Sequence, residues 1–517
     1  MNTFGEILVA NAMSYHDKTA FVFKNQRFTF SEVNQRVNSL INALSNMDVK
    51  KGDHVGILAY NCPQYYETFA LSKAGIVCVP LNFRSVGREL VYLINNSEVN
   101  TIIVAKEFAD LINSIRRDIE GVKNFISLNS IEEGMQNYED LIKSHEPIVP
   151  GDGVSPEDDA AIYYTSGTTG RPKGAVHTHK SLLAEMDMPN RDLGPQDVAL
   201  CVTPFFHVGG SAAYQFAVFK VGATSVVLEK FDEADVLRTI EQEKVSYVCM
   251  VPAMIIRMLD FPDLKKYDLS SLKSIGFTGA PMPVEVLKRC AAYFGRQIIH
   301  QELGQTETLN LTQLKKNEYK LNGSPKDIKR LESAGKPAIE GEVRIVDGNG
   351  KEVPRGQVGE IVSCSDRNMK GYWNMPKETE ETIRDGWLHT GDLGMMDEDG
   401  FIFIVDRKKD MIISGGENIY SREVEDVLYS HPAVLYAAVI GVPDEKWGES
   451  VKAVLVLKNG MKATEEEIIE HCKANLAGYK KPKSVEFREN LPMTGSGKIQ
   501  KNLIKEEYWK GYERKVN

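Results

Sequence analysis

No run of this chain is apolar for the ~18 residues that a membrane helix requires, so no membrane span is expected. Cysteine is sparse and scattered. The seven thiols, at 62, 78, 201, 249, 290, 364 and 472, include no CxxC pair and no metal-ligand spacing, which is the pattern of reduced thiols in a cytosol. Positive charge is not in excess either: 62 Lys and Arg stand against 72 Asp and Glu, a net charge of -10. A general affinity for nucleic-acid backbone is therefore excluded, while small anionic ligands remain open through local patches. The opening "MNTFGEILVANAMSYHD" lacks a basic n-region, and Glu6 interrupts its short apolar stretch, so no signal peptide is expected. Asn2 excludes N-myristoylation, and "YERKVN" is no peroxisomal address. Internal repeats and low-complexity tracts are also missing. The expectation is a soluble, cytoplasmic protein, whose 517 residues exceed one ordinary core and call for roughly two to four domains.

What is present alternates between short apolar runs and helical periods. "HVGILAY", "NTIIVA", "AAIYYT", "TSVVLE", "VSYVCMVP" and "LKSIGFTG" read as buried strands, and "EADVLRTIEQE" among others reads as a helix between them. That alternation predicts an α/β fold with parallel sheets and crossover helices. "IVPGDGVSPEDDAA" breaks it, as a subdomain boundary would. From about residue 335, "GEVRIVDGNGKEV" and "GMMDEDGFIFIVDR" read as strands joined by tight Asp/Gly turns, predicting a small antiparallel barrel or sheet. After Asp406 the order is helix "SREVEDVLYSH", strands "VLYAAVIGV" and "SVKAVLVLK", helix "TEEEIIEHCKANL" with a Thr464/Glu467 capping box, and strand "SVEFRE". The expected layout is an N-terminal domain over 1–405, with subdomains of about 1–155, 156–334 and 335–405, then a hinge at 406–410 and a small α+β lid over 411–517.

"YYTSGTTGRPKGAVHTHK", residues 163 to 180, has the glycines, hydroxyls and lysine of a phosphate loop but not the Walker A spacing. Five residues beyond Gly167 stands Pro172, and Gly174 rather than Ser or Thr follows Lys173. At the carboxyl end of a buried strand, Ser166, Gly167, Thr168, Thr169 and Gly170 offer backbone N–H groups and hydroxyls that can wrap phosphate oxygens. By itself "SGTTG" is equally well a surface turn.

The whole string "YTSGTTGRPKG" resembles the nucleotide-binding signature of the adenylate-forming superfamily, which includes acyl-CoA synthetases, stand-alone adenylation domains and firefly luciferases. Further motifs follow in that family's order: "FFHVGG", "TGAPM", "ELGQTET", "GEIVSCSDRNMKGYWN", "WLHTGDLG", "DRKKDMIISGGENIYSREVE" and "PMTGSGK". The resemblance implies attack of a carboxylate on the α-phosphorus of ATP, release of pyrophosphate, and transfer of the acyl group from AMP to CoA. "SGGENIY" favours CoA as acceptor, with a carrier protein as the alternative. A non-catalytic binding protein on this scaffold is disfavoured by the presence of Lys498, Glu307 and Asp392. It further implies Mg²⁺ held with the help of Thr165 and Glu307, and Lys173 near the pyrophosphate. Asp392 would bind the ribose, supported by Arg407. Gly279, Ala280 and Pro281 would form the adenine wall, with Gln301, Glu302, Leu303, Gly304 and Thr306 completing the nucleotide site. Lys498 would bridge carboxylate and α-phosphate, Lys409 would be the hinge, and Gly415 and Gly416 would let the pantetheine arm pass.

Two departures refine this. Many relatives carry Tyr where this chain has Leu303, which replaces stacking on adenine by an apolar contact. Amino-acid-activating relatives commonly carry an Asp where this chain has His207, which points to an acid without an α-amine. His207, Val208, Gly209 and Ser211 are the expected acyl-pocket residues, with Gly210 and Ala212 leaving further room. A medium- or long-chain fatty acid is the first expectation and an aromatic or alicyclic acid the second. Neither monomer nor homodimer is decided.

Overall fold

The computed structural model describes the chain except for residue 1, 149–150, 152, 166–170, 189–192, 281, 283, 296–297, 340, 494–498 and 511–517. Among the described residues, no helix is long and apolar enough to cross a membrane. The fold is mixed α/β, as the alternation of strands and helices predicts, and each of the six runs read as strands forms one.

Two large sheets carry the first unit, which takes in the chain up to Thr165, Pro172–Val343 and Ser363–Leu388. The nine-stranded sheet has a parallel centre, in which Ser274–Phe277 lies between Tyr247–Met250 and Ile299–Gln305. The eight-stranded sheet is likewise parallel from Asp159–Tyr164 through Val77–Pro80, His54–Leu58 and Val99–Ala105 to Asn124–Leu128. Buried on both faces, such strands read as unbroken Val/Ile/Leu runs, which is why they are legible in the sequence. The sheets interleave along the chain. Thr19–Phe23 joins the nine-stranded sheet beside Thr224–Val227, whereas Asp159–Tyr164 and Gly174–Thr178 join strands from the first 140 residues. The opening apolar stretch is the helix Phe4–Ser14, which sends Phe4, Ile7 and Leu8 into the core.

Antiparallel strands are appended where the chemistry-bearing motifs lie. Asp159–Tyr164 and Gly174–Thr178 form a hairpin whose connection is the phosphate-loop string, and Gly371–Tyr372 adds to its outer edge. At the other sheet, Ile299–Gln305 turns back into Leu309–Leu314.

The second unit takes in Arg344–Val362 and the chain from His389 onward. The strands read after residue 335 form an open sheet rather than a closed barrel among the described residues: Val343–Val346, Val358–Ser363 and Trp387–Met396 in that order, with Ile402–Arg407 pairing to the third. Its Asp397–Gly400 turn is held by Asp397 Oδ1, which accepts from the N–H groups of Asp399 and Phe401. The last sheet is built on Val434–Asp444 against Gly448–Leu457, with helices Ser421–Ser430 and Glu465–Asn475. The Thr464/Glu467 capping box forms in both directions, at 2.8 and 3.2 Å.

The turn between Ile299–Gln305 and Leu309–Leu314 is the tightest constraint near the candidate site. A Cβ on Gly304 would fall 2.0 Å from the Leu309 carbonyl oxygen, and Leu309 already sits at φ 54°. Gly304→Ala must therefore push the two strands apart, at a cost of about 1–3 kcal/mol for an overpacked interior. The variant is expected to melt about 1–3 °C lower, given the large unfolding entropy of so long a chain, and to turn over more slowly, as thermal denaturation and turnover measured together will show.

Candidate active site

The hairpin that carries the phosphate-loop string is pinned at its base. Thr165 N–H donates to the Lys173 carbonyl at 2.9 Å, and Tyr92 Oη donates to the Pro172 carbonyl at 2.9 Å. Unlike a Walker loop, this string joins two antiparallel strands rather than a strand to a helix. Its residues Ser166, Gly167, Thr168, Thr169 and Gly170 lie outside the described residues.

Tyr372 ties this hairpin to Glu307. Its strand pairs with the hairpin edge, Tyr372 opposite Ala175, so that the ring turns its face to the Lys173 ammonium, 4.8 Å from the centroid. Its hydroxyl donates to Glu307 Oε1 at 2.8 Å. An aromatic face is electron-rich and a phenol O–H is a donor, so one side chain engages a cation and an anion at opposite ends. Through Tyr372, Lys173 and Glu307 are thus brought into one site. Burial, then the Glu307 carboxylate, pushes the Tyr372 phenol well above its usual pKa, so it remains a donor throughout the working pH range.

The turn bearing Glu307 is fixed from behind. His177 Nε2 lies 2.7 Å from the Thr306 carbonyl, and since a carbonyl only accepts, that nitrogen carries the proton. Burial lowers the His177 pKa to about 4, so the imidazole is neutral near pH 7. Met369 N–H donates to the Glu307 carbonyl at 2.7 Å. Gln301 and Glu302 are buried, and Glu302 Oε2 accepts from Asn310 Nδ2 at 3.0 Å in an interior network that includes Glu185. Leu303 is half-buried opposite Thr312.

His207 lies just before a short helical segment that begins at Ser211, and the Ser211 hydroxyl donates to the His207 carbonyl at 3.0 Å. Tyr163 Oη and Ser211 Oγ are 2.8 Å apart. Val208 and Gly209 are half-buried. The Cβ direction of Gly209 is open, its nearest neighbour being Thr278 Cγ2 at 3.9 Å, whereas Gly210 is packed hard on the Pro204 carbonyl. Gly279, beyond Thr278, has φ 87° and faces Val251. Ala280 is exposed, and Pro281 lies outside the described residues.

Asp392, Arg407, Lys409, Gly415 and Gly416 belong to the second unit. Asp392 and Arg407 face each other across a ladder, with Arg407 Nε 3.0 Å from Asp392 Oδ1. The loop before Asp392 is steadied by Glu360, which accepts from Gly391 N–H and pairs with Lys408 Nζ at 3.1 Å. Burial opposes ionisation of Glu360, yet hydrogen bonds from His389 and Lys408 and the Lys408 charge hold its pKa below the usual carboxylate value. Burial brings the Lys409 ammonium down to about 8. Gly415 and Gly416 both have positive φ, 60° and 86°. Only Gly416 has open space: a Cβ on Gly415 would fall 2.5 Å from the Trp447 ring. Lys498 lies outside the described residues.

Residues 8–373 match the AMP-binding enzyme family, and residues 423–498 match the AMP-binding enzyme C-terminal domain. The chain belongs to the AMP-binding enzyme family. It is 38% identical over 500 residues to a feruloyl-CoA synthase of an Amycolatopsis species, covering 96% of this chain and 97% of that one. With a medium/long-chain-fatty-acid–CoA ligase of Mycobacterium tuberculosis it shares 33% identity, over 99% and 91% of the two chains. The crystal structure of ATP-bound MatB from Rhodopseudomonas palustris superposes with a TM-score of 0.88 at 28% identity, covering 99% of this chain and all of that one.

In this AMP-binding enzyme Tyr372 and Trp447 are the residues that motif reading passed over. Tyr372 stands inside "GYWN", and only strand pairing with the hairpin brings it to Glu307. Two predictions follow from the site. Tyr372→Phe keeps the ring over Lys173 but removes a hydrogen bond to a charged acceptor, worth about 1.5–3 kcal/mol. The overall rate should fall roughly ten- to a hundredfold with the melting temperature nearly unchanged, and steady-state kinetics beside calorimetry reads both. Gly209→Ala meets no obstacle, so it should leave stability intact and alter the KM for the acid rather than for ATP.

Proposed function

We propose that this protein, an AMP-forming acid–thiol ligase, activates an apolar carboxylic acid without an α-amine and transfers it to CoA. The observation that carries the reading is the Lys173–Tyr372–Glu307 constellation beneath the phosphate-loop hairpin. In the first half-reaction a carboxylate oxygen attacks the α-phosphorus of ATP, the acyl O–P bond forms, and the bond to the β-phosphate oxygen breaks. Pyrophosphate leaves with the electron pair. Lys173 is placed to meet that leaving group, and the ribose hydroxyls fall to Asp392, which Arg407 orients. Lys498, by family position, serves the attacking carboxylate.

Among the described residues there is no cluster of three or more His, Cys, Asp or Glu side chains that could hold a metal. That suits Mg²⁺ brought by a nucleotide, which takes one or two protein oxygens and completes its shell with phosphates and water. The half-buried Glu307 carboxylate and the Thr165 hydroxyl would hold it, and when bound it neutralises phosphate charge.

In the second half-reaction a thiol attacks the acyl carbon and AMP departs. Trp447 supports a CoA acceptor. Its ring packs on Gly415 and is 42% exposed, with the Lys446 ammonium 4.7 Å from the centroid, while Lys483, 5.3 Å away, is paired with Asp444 at 3.1 Å. An exposed indole flanked by cations suits a purine with phosphates attached. The lid is proposed to turn at Lys409 between the two half-reactions.

The acid is a medium- or long-chain fatty acid in the first reading. An aromatic acid is the second, favoured by the 38% identity to the feruloyl-CoA synthase. A panel of acids assayed for AMP release with CoA, with pantetheinylated carrier protein and with neither decides both questions; no acid-dependent AMP release with any acceptor would sink the reading. Trp447→Ala should raise the KM for CoA about tenfold or more, since base stacking on an aromatic side chain is worth about 1–3 kcal/mol, and should leave acid-dependent ATP–pyrophosphate exchange unchanged.

A further inference from the structure

Beyond these residues, the second unit contains a buried charge cluster that the reaction as described does not use. Lys501 opens the helix Lys501–Trp509, three residues after Lys498 in sequence. Its ammonium donates to Ser421 Oγ at 2.8 Å and lies 2.6 Å from Glu425 Oε1. The Ser421 hydroxyl passes the contact on, donating to Asp406 Oδ1 at 3.0 Å, while Ser421 N–H donates to Asp406 Oδ2. Glu425 Oε1 also accepts from Val439 N–H at 2.8 Å. Asp406 is buried at the end of Ile402–Arg407, where it lies opposite Leu393, and the next residue, Arg407, lies opposite Asp392. The Lys501 side chain is 17% exposed and that of Glu425 12%.

The cluster joins two places that must be in register for adenylation. On one side, Asp406 adjoins the Arg407–Asp392 pair assigned to the ribose. On the other, Lys501 follows Lys498 by three residues in sequence. The chain just before Lys501 is held by the Met493–Ile499 bridge and by Gln500 N–H donating to the Pro492 carbonyl at 2.8 Å. Ile499 and Ile504 then pack with Ala438, Ile440, Val454 and Leu491. Apolar packing fixes the helix on the lid sheet, but an apolar contact has no direction and does not set register toward Asp406. A lysine held by two oxygens does. Burial works against the charge on Lys501, yet Glu425 and Asp406 raise its pKa, so the cation persists.

We propose that Lys501 is a positioning residue for the adenylation half-reaction: through Ser421 it locks the start of the helix that follows Lys498 in sequence to Asp406, and so to the strand pair that presents Asp392. The thioester step, which does not use Lys498, does not need this lock. The proposal rests on the adenylate-forming reading, and its test separates the two.

Three variants are compared, Lys501→Met, Lys501→Arg and Ser421→Ala. Adenylation is read by acid-dependent ATP–pyrophosphate exchange, and thioester formation by discharge of supplied acyl-adenylate with CoA. Lys501→Met should slow exchange about tenfold or more, the scale of a misplaced reacting group, with the KM for ATP and the thioester rate each within about twofold. Lys501→Arg should restore most of the exchange. Removing the cation leaves two buried carboxylates uncompensated and can unfold the lid. Ser421→Ala therefore provides the second test: it removes the hydroxyl that links Lys501 to Asp406, keeps the Lys501–Glu425 pair and the residue 421 N–H on Asp406, and should slow exchange selectively. Parallel loss in both half-reactions, no loss of exchange in Ser421→Ala, or failure of arginine to rescue would overturn the proposal. Absence of acid-dependent exchange in the unaltered enzyme would instead overturn the adenylate-forming reading beneath it.

Discussion

An anionic carboxylate must be brought against an anionic phosphate, and the layout of the site answers that repulsion. A chain of net charge -10 offers no general positive field, so the compensation has to be local and fixed in place. Salt bridges would defeat the purpose, because a lysine already paired with a carboxylate has little charge left for a phosphate. Tyr372 turns its face to Lys173 and its hydroxyl to Glu307, so in the proposed reaction the two charges are gathered by one neutral side chain. The backbone of the same residue pairs Gly371–Tyr372 with the edge of the phosphate-loop hairpin, so the electrostatics and the strand pairing are one arrangement.

Placement of the loops follows from how the sheets are assembled. Parallel strands make the centres, and the chemistry-bearing strings sit where antiparallel strands are appended: the hairpin 159–178 on one sheet and the turn 305–309 on the other. The 305–309 turn and the base of the hairpin are held for identifiable reasons. Gly304 admits no side chain, neutral His177 holds the Thr306 carbonyl, and Thr165 closes on Lys173. The second unit follows a similar logic with charge in place of backbone contact, where Asp406, Ser421, Glu425 and Lys501 tie a strand end to two helix starts.

Much of this was legible in the amino-acid order, and what escaped did so for a physical reason. Strands buried on both faces announce themselves as apolar runs, and the Thr464/Glu467 box declares a helix start in four residues. The motif strings carried the family. The interleaving of the sheets was not readable, because which strand pairs with which is a long-range choice that local period does not encode: nothing near Thr19 foretells its partner strand around Thr224. Tyr372 and Lys501 escaped for the same cause, since one is defined by a partner 65 residues earlier and the other by partners 76 to 80 residues earlier in sequence. The contact of Gly415 with the Trp447 ring escapes for the same reason, its partner standing 32 residues later in sequence.

The central claim is the bond that is made first, between a carboxylate oxygen and the α-phosphorus. The most direct measurement is a single turnover with the acid labelled by ¹⁸O in its carboxylate, followed by mass spectrometry of the products. The account predicts one labelled oxygen in AMP and none in pyrophosphate, because the acyl C–O bond breaks when the thiol attacks. Label in inorganic phosphate together with release of ADP would place the attack on the γ-phosphorus and contradict it.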